Sequence, residues 1–189
     1  MTKAELRVHY KSKRKSLTSE DSDVLSLQIA NQLLSLKIWD KSFYHVFLSI
    51  QEQKEVDTDF ILNIVSGKDK NIVVSKSDFR TSEMTHYLLT DSTIIKKNKL
   101  NIPEPMDGIE IAAEKIDVVF VPLLAFDKQG HRVGYGKGFY DIFLGKCKPE
   151  TIKIGLSFFE AEDNIEDVVE SDVMLDYCVT PNFIYSFSS

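Results

Sequence analysis

The chain has 189 residues, of which 43% are hydrophobic and 28% charged, with a formal net charge of −6. That balance fits one globular domain spanning residues 1–189 and excludes a disordered or low-complexity chain. The acidic charge argues against a nucleic-acid binder, and no apolar run approaches the roughly 18 residues of a bilayer span, so neither nucleic acid nor membrane is an expected partner. Cys147 and Cys178 lack metal-ligand spacing and read as free thiols. The charged start Met1-Thr2-Lys3-Ala4-Glu5-Leu6-Arg7 has no apolar core of a secretory signal, so a cytoplasmic location is expected.

In chain order, Thr2-x-x-Glu5 is a capping box that starts a helix running to about Ser16. Thr18 or Ser19 caps a second helix over about Glu20 to Leu36, with Val24, Leu27, Leu34 and the Ile29/Leu33 pair at helical spacing. Phe43 to Leu48 reads as a strand. Thr58 is expected to cap a helix to Ser66, with Gly67 just beyond its end. Asn71 to Ser75 and Met84 to Leu89 read as strands, and Lys96 to Pro105 as loop. Asp117 to Val121 is a buried strand, and Gly138 to Lys146 a helix with Phe139, Ile142 and Phe143 on one side. Thr151 to Phe158, Tyr177 to Val179 and Phe183 to Phe187 complete the strands, with an acidic, largely irregular Glu160 to Asp172 between them. Strands alternate with helices, so the expected class is α/β with a largely parallel sheet sandwiched by helices.

The most informative stretch follows the strand at Asp117. It runs from Pro122 to Asp141 and includes Gly130-His131-Arg132-Val133-Gly134-Tyr135-Gly136-Lys137-Gly138-Phe139-Tyr140-Asp141. Glycines between a strand's carboxyl end and a helix start let backbone N–H groups approach phosphate oxygens, and the helix start adds partial positive charge. Arg132 and Lys137 can add full charges, and Asp141 can hold a magnesium ion that bridges phosphates. The spacing is neither the dinucleotide fingerprint nor a Walker loop.

Three further groups stand out. Lys3, Arg7, Lys11 and Arg14 make a basic stripe on the first helix, a solvated face or a phosphate clamp. Glu55, in the polar loop after the first strand, has no evident structural task and could recognise adjacent N–H donors of a heterocycle. Ile102-Pro103-Glu104-Pro105 is a stiff segment, either a surface turn or a wall of the ligand site. The histidines His9, His45, His86 and His131 are scattered, and His131 reads as solvated.

Four blocks resemble the 5-formyltetrahydrofolate cyclo-ligase family. They are Lys3-Ala4-Glu5-Leu6-Arg7, Phe47-Leu48-Ser49 with Glu55-Val56-Asp57-Thr58, Ile102-Pro103-Glu104-Pro105, and above all Pro122 to Asp141. The resemblance implies a fold similar to sugar-phosphate isomerases and CoA-transferases. It implies ATP-dependent, magnesium-requiring closure of 5-formyltetrahydrofolate to 5,10-methenyltetrahydrofolate by a monomer. Transfer of the γ-phosphoryl group to the formyl oxygen would precede attack by N10. Carried over by position, Lys3 and Arg7 would bind ATP phosphates. Arg132, Val133, Gly134, Tyr135, Gly136, Lys137, Gly138, Phe139 and Tyr140 would cradle the triphosphate, with Lys137 and Arg132 catalytic. Asp141 would bind magnesium. Glu55 would meet the pterin with Leu48 or Ile50 beside it, and Glu104, Tyr135 and Phe139 would border the folate. The chain departs from the family pattern at Tyr135, where many relatives carry Arg, and at Phe139, where Tyr is usual.

Two alternatives use the same residues differently. Another enzyme on the same fold would need a carboxylate base or nucleophile and leaves Lys3, Arg7 and Lys137 without a task. A non-catalytic folate or nucleotide binder would keep the pocket without needing phosphoryl-transfer groups.

Overall fold

The computed structural model describes residues 1–187. Helix α1 (Lys3–Lys15) opens with Thr2, whose hydroxyl accepts from the Glu5 N–H while the Glu5 carboxylate accepts from the Thr2 N–H. Helix α2 (Ser19–Leu33) repeats the device with Thr18 and Asp21. Its inward face is not the one that the spacing of Val24, Leu27 and Leu34 marks. Those three are about half exposed, whereas the Ile29/Leu33 pair is buried as expected, together with Ser26 and Ala30.

Strand β1 (Phe43–His45) is shorter than expected, because the chain leaves the ladder to enter the loop that carries Glu55. Helix α3 (Asp59–Gly67) follows. Thr58 sits at its N-cap but does not cap it: its hydroxyl donates to the Phe47 carbonyl at 2.6 Å, tying the loop back to β1. The Asp57 carboxylate accepts from the Asp59 N–H in its place. Gly67 lies inside the helix, and the left-handed residue beyond it is Asp69.

Strands β2 (Asn71–Asp78) and β3 (Glu83–Leu88) form an antiparallel pair. The segment read as loop holds a small ribbon, β4 (Ile95–Lys97) against β5 (Pro103–Pro105). Strand β6 (Val118–Pro122) is buried on both faces, and β7 (Ala125–Phe126) pairs with β8 (Arg132–Val133) in a short hairpin. Helix α4 (Phe139–Lys146) follows the glycine loop, with Phe143 and Leu144 buried and Ile142 turned outward. Strands β9 (Ile152–Leu156), β10 (Tyr177–Val179) and β11 (Ile184–Ser186) complete the sheet.

The seven-stranded sheet has the order β11-β10-β9-β6-β1-β2-β3. It is parallel from β10 to β2, and an antiparallel strand closes each edge. Period-two alternation sends side chains to two cores. Val118 and Phe120 join Ile29, Leu33, Ile61 and Val65 of α2 and α3 on one face. Val119 and Val121 join Phe143 and Leu144 of α4 on the other. Helix α1 lies apart, with Leu6 and Tyr10 packed on Leu124, Ala125 and Val133 of the hairpin region. Cys147 and Cys178 are unpaired.

Candidate active site

A cleft of about 440 Å³ opens where β1 and β6 end, marked by His45 and Pro122. Ligands of open α/β sheets bind outside such carboxyl ends. The cleft brings α1, the loop after β1, the β2–β3 pair, the ribbon and the glycine loop to one place.

At one end lies the glycine loop. Gly136 has φ +91° and Gly138 φ +74°, a left-handed backbone that side chains disfavour. A Cβ on Gly136 would come within 3.2 Å of the Arg7 guanidinium. Arg7 donates from Nε to the Gly134 carbonyl at 2.9 Å, so the loop and α1 are locked together. Gly138 stands at the N-cap of α4, whose first residues Phe139, Tyr140 and Asp141 line the cleft, and the first N–H groups of a helix have no partner within it. Lys137 is exposed and lines the cleft. Lys3 also reaches the cleft, paired with Asp172 at 2.5 Å with both side chains only 16% exposed.

Arg132 is less free than its charge promises. It donates from Nη1 to the Val173 carbonyl and from Nη2 to Asp141 Oδ1 at 2.8 Å. The Val173 N–H donates to the same Asp141 oxygen at 3.0 Å, leaving Asp141 Oδ2 to the cleft. Arg132 therefore fixes Asp141 while lining the cleft beside it. Asp172, adjacent in sequence to Val173, also lines the cleft. Burial pushes its carboxyl up, but the Lys3 ammonium and the Val169 N–H bring it below the usual carboxylate range. Two carboxylates, Asp141 and Asp172, thus sit at the glycine-loop end. The first stands in the motif after the glycine loop. The second lies in an acidic segment whose neighbours, Glu166 and Asp167, clasp the start of α1.

At the other end is Glu55, 7% exposed. Its Oε2 accepts from the Ile50 N–H at 2.8 Å and its Oε1 from the Tyr135 hydroxyl at 3.0 Å. Burial raises its pKa, against the pull of the Ile50 N–H, the Arg14 charge and the Tyr135 hydroxyl. Arg14 is buried, outside the cleft lining. It donates to the Leu123 carbonyl at 2.6 Å, the Gln53 carbonyl at 3.3 Å and Tyr135 Oη at 2.8 Å. So the basic stripe divides: Lys3, Arg7 and Lys11 face the cleft, and Arg14 is a buried brace.

Leu48 and Ile50 both line the cleft, as do Tyr135, Phe139 and Tyr140. Phe139 stacks edge-on with Phe79 at 4.9 Å. Val133 and Glu104 do not line the cleft. Val133 is fully buried in the α1–hairpin core, with its carbonyl used by the Leu124 N–H. Glu104 sits on the ribbon with Asn98 Nδ2 3.5 Å from its carboxylate, while Leu100 and Ile102 reach the cleft. His131 is not simply solvated, since its Nδ1 lies 3.1 Å from buried Asp127. His45 and His86 are not scattered either; Ser75 joins them beneath the cleft.

The model of the 5-formyltetrahydrofolate cyclo-ligase family matches residues 1–181. The chain belongs to that family. A Mus musculus protein named 5-formyltetrahydrofolate cyclo-ligase is 29% identical over 185 residues, covering 90% of this chain and 89% of the relative. An Escherichia coli protein of the same name is 25% identical over 182 residues, covering 94% and 99%. The solution structure of Aquifex aeolicus 5,10-methenyltetrahydrofolate synthetase superposes with a TM-score of 0.85 at 27% identity, covering 100% of this chain and 94% of that one.

Proposed function

We propose that this protein is an ATP-dependent 5-formyltetrahydrofolate cyclo-ligase, forming 5,10-methenyltetrahydrofolate with release of ADP and phosphate. The observation that carries this reading is one cleft with two unlike ends: a cationic glycine loop that presents Lys137, and a buried carboxylate, Glu55, braced by Tyr135.

A formamide carbon is a poor electrophile. Moving the γ-phosphoryl group of ATP to the formyl oxygen turns that oxygen into a leaving group, after which N10 attacks the carbon. Such a transfer demands positioning and charge neutralisation rather than a covalent nucleophile. Lys3, Arg7 and the N–H groups at the start of α4 would hold the triphosphate. Lys137 would neutralise charge on the phosphoryl group in transit. Glu55 would accept hydrogen bonds from the pterin, with Leu48 and Ile50 against its ring. Arg132 would act by positioning Asp141.

Asp141 and Asp172 suit magnesium, which takes one or two carboxylate oxygens and completes its shell with phosphate oxygens and water. No larger cluster of His, Cys, Asp and Glu able to hold a metal occurs among the described residues, which fits an ion that arrives with the nucleotide. Bound there, magnesium would supply further charge neutralisation at the phosphates. Among the described residues no helix is long and apolar enough to cross a membrane. We place the protein in the cytoplasm as a monomer.

The test is direct. Purified protein, 5-formyltetrahydrofolate, ATP and magnesium should generate the near-ultraviolet absorbance of the methenyl product only when all are present. Binding of both substrates without product would favour a binder.

A further inference from the structure

We propose that His45, Ser75 and His86 form a proton-accepting chain in the floor of the cleft, in which Ser75 takes the proton that N10 loses on ring closure and His86 holds it. This rests on the cyclisation reading above.

The three residues come from three adjacent strands. Ser75 on β2 is paired in register with His86 on β3, and His45 ends β1 on the other side. Ser75 Oγ lies 2.6 Å from His45 Nε2 and 2.6 Å from His86 Nδ1. His45 and Ser75 line the cleft, whereas His86 lies behind them, 6% exposed.

The direction of these bonds follows from one unpaired atom. His45 Nδ1 is out of water and has no partner among the described residues. A buried acceptor without a partner is tolerated better than an orphaned N–H donor. Nδ1 is therefore assigned the lone pair, so Nε2–H donates to Ser75 Oγ and the Ser75 hydroxyl donates to His86 Nδ1. A hydroxyl has one proton and two lone pairs, so Ser75 keeps one lone pair to accept from a ligand.

Burial keeps both rings neutral. His45 is held well below the usual histidine range by desolvation and by His86. His86 is lowered to about 4, by burial first and by Lys146 second, against the opposing charge of Glu114. The other faces are aromatic: Phe143 packs on both rings, and Tyr140 lies 6.2 Å from His45.

The position along the cleft fits N10. Tyr140 and Glu55 line the same cleft, and the Tyr140 ring meets His45 edge-on at 6.2 Å. Beyond Ser75, the same face of β2 and β3 presents Ser77 and Met84 to the cleft, and Phe79, just past the end of β2, lines it as well. A folate with its pterin at Glu55 would lay its aryl ring toward Met84 and Phe79, and N10 lies between those two parts.

The step balances. The N10 lone pair attacks the phosphorylated formyl carbon, forming the C–N bond and leaving N10 positive with its proton. That N–H bond breaks toward Ser75 Oγ as the Ser75 O–H bond breaks toward His86 Nδ1. The released pair on N10 expels phosphate, which leaves with the C–O electrons. His86, now imidazolium, returns its proton to solvent through Nε2. His45 is a positioning residue, holding Ser75 through Nε2–H.

The experiment is a single-turnover measurement of methenyl formation with enzyme in excess, saturating ATP and magnesium, and 5-formyltetrahydrofolate affinity read separately. Ser75→Ala and His86→Gln should slow turnover by about a hundredfold, the lower range for general-base catalysis. Folate affinity should stay within about threefold, too little to account for that loss. Ser75→Thr, which retains a hydroxyl, should recover a large part of it. Variant rates within about threefold of wild type would overturn the chain and give the proton to the departing phosphate. Equal losses of affinity and rate would also overturn it, making the cluster a binding support. A silent wild-type enzyme would sink the cyclo-ligase reading instead.

Discussion

At Glu55 the structure spends stability on a charge. Its pKa is raised by burial, so between the unfolded and folded values the native state binds more protons than the unfolded one. Stability conferred by the protonated form is therefore present at low pH and lost as pH rises through the folded value. Glu55→Gln should raise the thermal midpoint at neutral pH, with a smaller gain in acid, while weakening folate binding. A lowered midpoint with unchanged affinity would remove Glu55 from the site. Lys137 is the opposite case, exposed and committed to no ion pair among the described residues. Lys137→Ala should leave the midpoint within a degree or so, yet cut kcat by about a hundredfold or more, the scale of one lost transition-state donor. Near-normal turnover would refute its role.

At the scale of elements, the motif Phe126-Asp127-Lys128-Gln129-Gly130 serves construction. The buried Asp127 carboxylate accepts from the N–H groups of Gln129, His131 and Ile165, which fixes the β7–β8 turn that launches the glycine loop. Gly130 has φ +98°, and a Cβ there would come within 2.8 Å of the Phe187 ring. Arg14 plays the matching part in α1, joining that helix to the ends of two loops. Arg14→Met removes the donor to the Leu123 and Gln53 carbonyls and to Tyr135 Oη, and should cost about 2–4 kcal/mol in urea denaturation. A cost under about 0.5 kcal/mol, the level of an ordinary surface change, would mean that water replaces the guanidinium.

For the molecule as a whole, the net charge of −6 hides a local reversal. Lys3, Arg7, Lys11 and Lys137 line one cleft, an arrangement that concentrates an anionic ligand on an acidic protein. ATP binding should then tie α1 to the glycine loop and stabilise the fold. At a hundredfold excess over Kd the gain is about 2.7 kcal/mol by mass action. The thermal midpoint should rise with ATP and magnesium and rise less when a chelator removes the ion. Asp172→Asn and Asp141→Asn should each shrink that difference. If the chelator has no effect on either variant or wild type, the two carboxylates hold no magnesium.

Much of this was written locally in the chain. Capping boxes, alternating strands and the glycine loop fixed α1, α2, the parallel sheet and the glycine-loop end of the cleft, because each depends on neighbours a few residues apart. The short ribbon β4–β5 escaped, since Pro103-Glu104-Pro105 lacks strand propensity and pairs only because Lys96 returns opposite Glu104. Thr58 looked like a cap and became a tether, because the Phe47 carbonyl lay within its reach. Arg14 could not be told from Lys11 by spacing, and which one is buried depended on Leu123 and Tyr135, more than a hundred residues away. Asp172 joined Asp141 only when its loop folded back over α1. His45, Ser75 and His86 carry no pattern in sequence, and only strand register set them within hydrogen-bonding distance. The sequence by itself determined most of the helices and the sheet strands, the family and the glycine loop, through interactions that operate within a few residues. The tertiary structure alone decided which charges are buried, paired or free, because burial and long-range pairing exist only once the sheet is assembled.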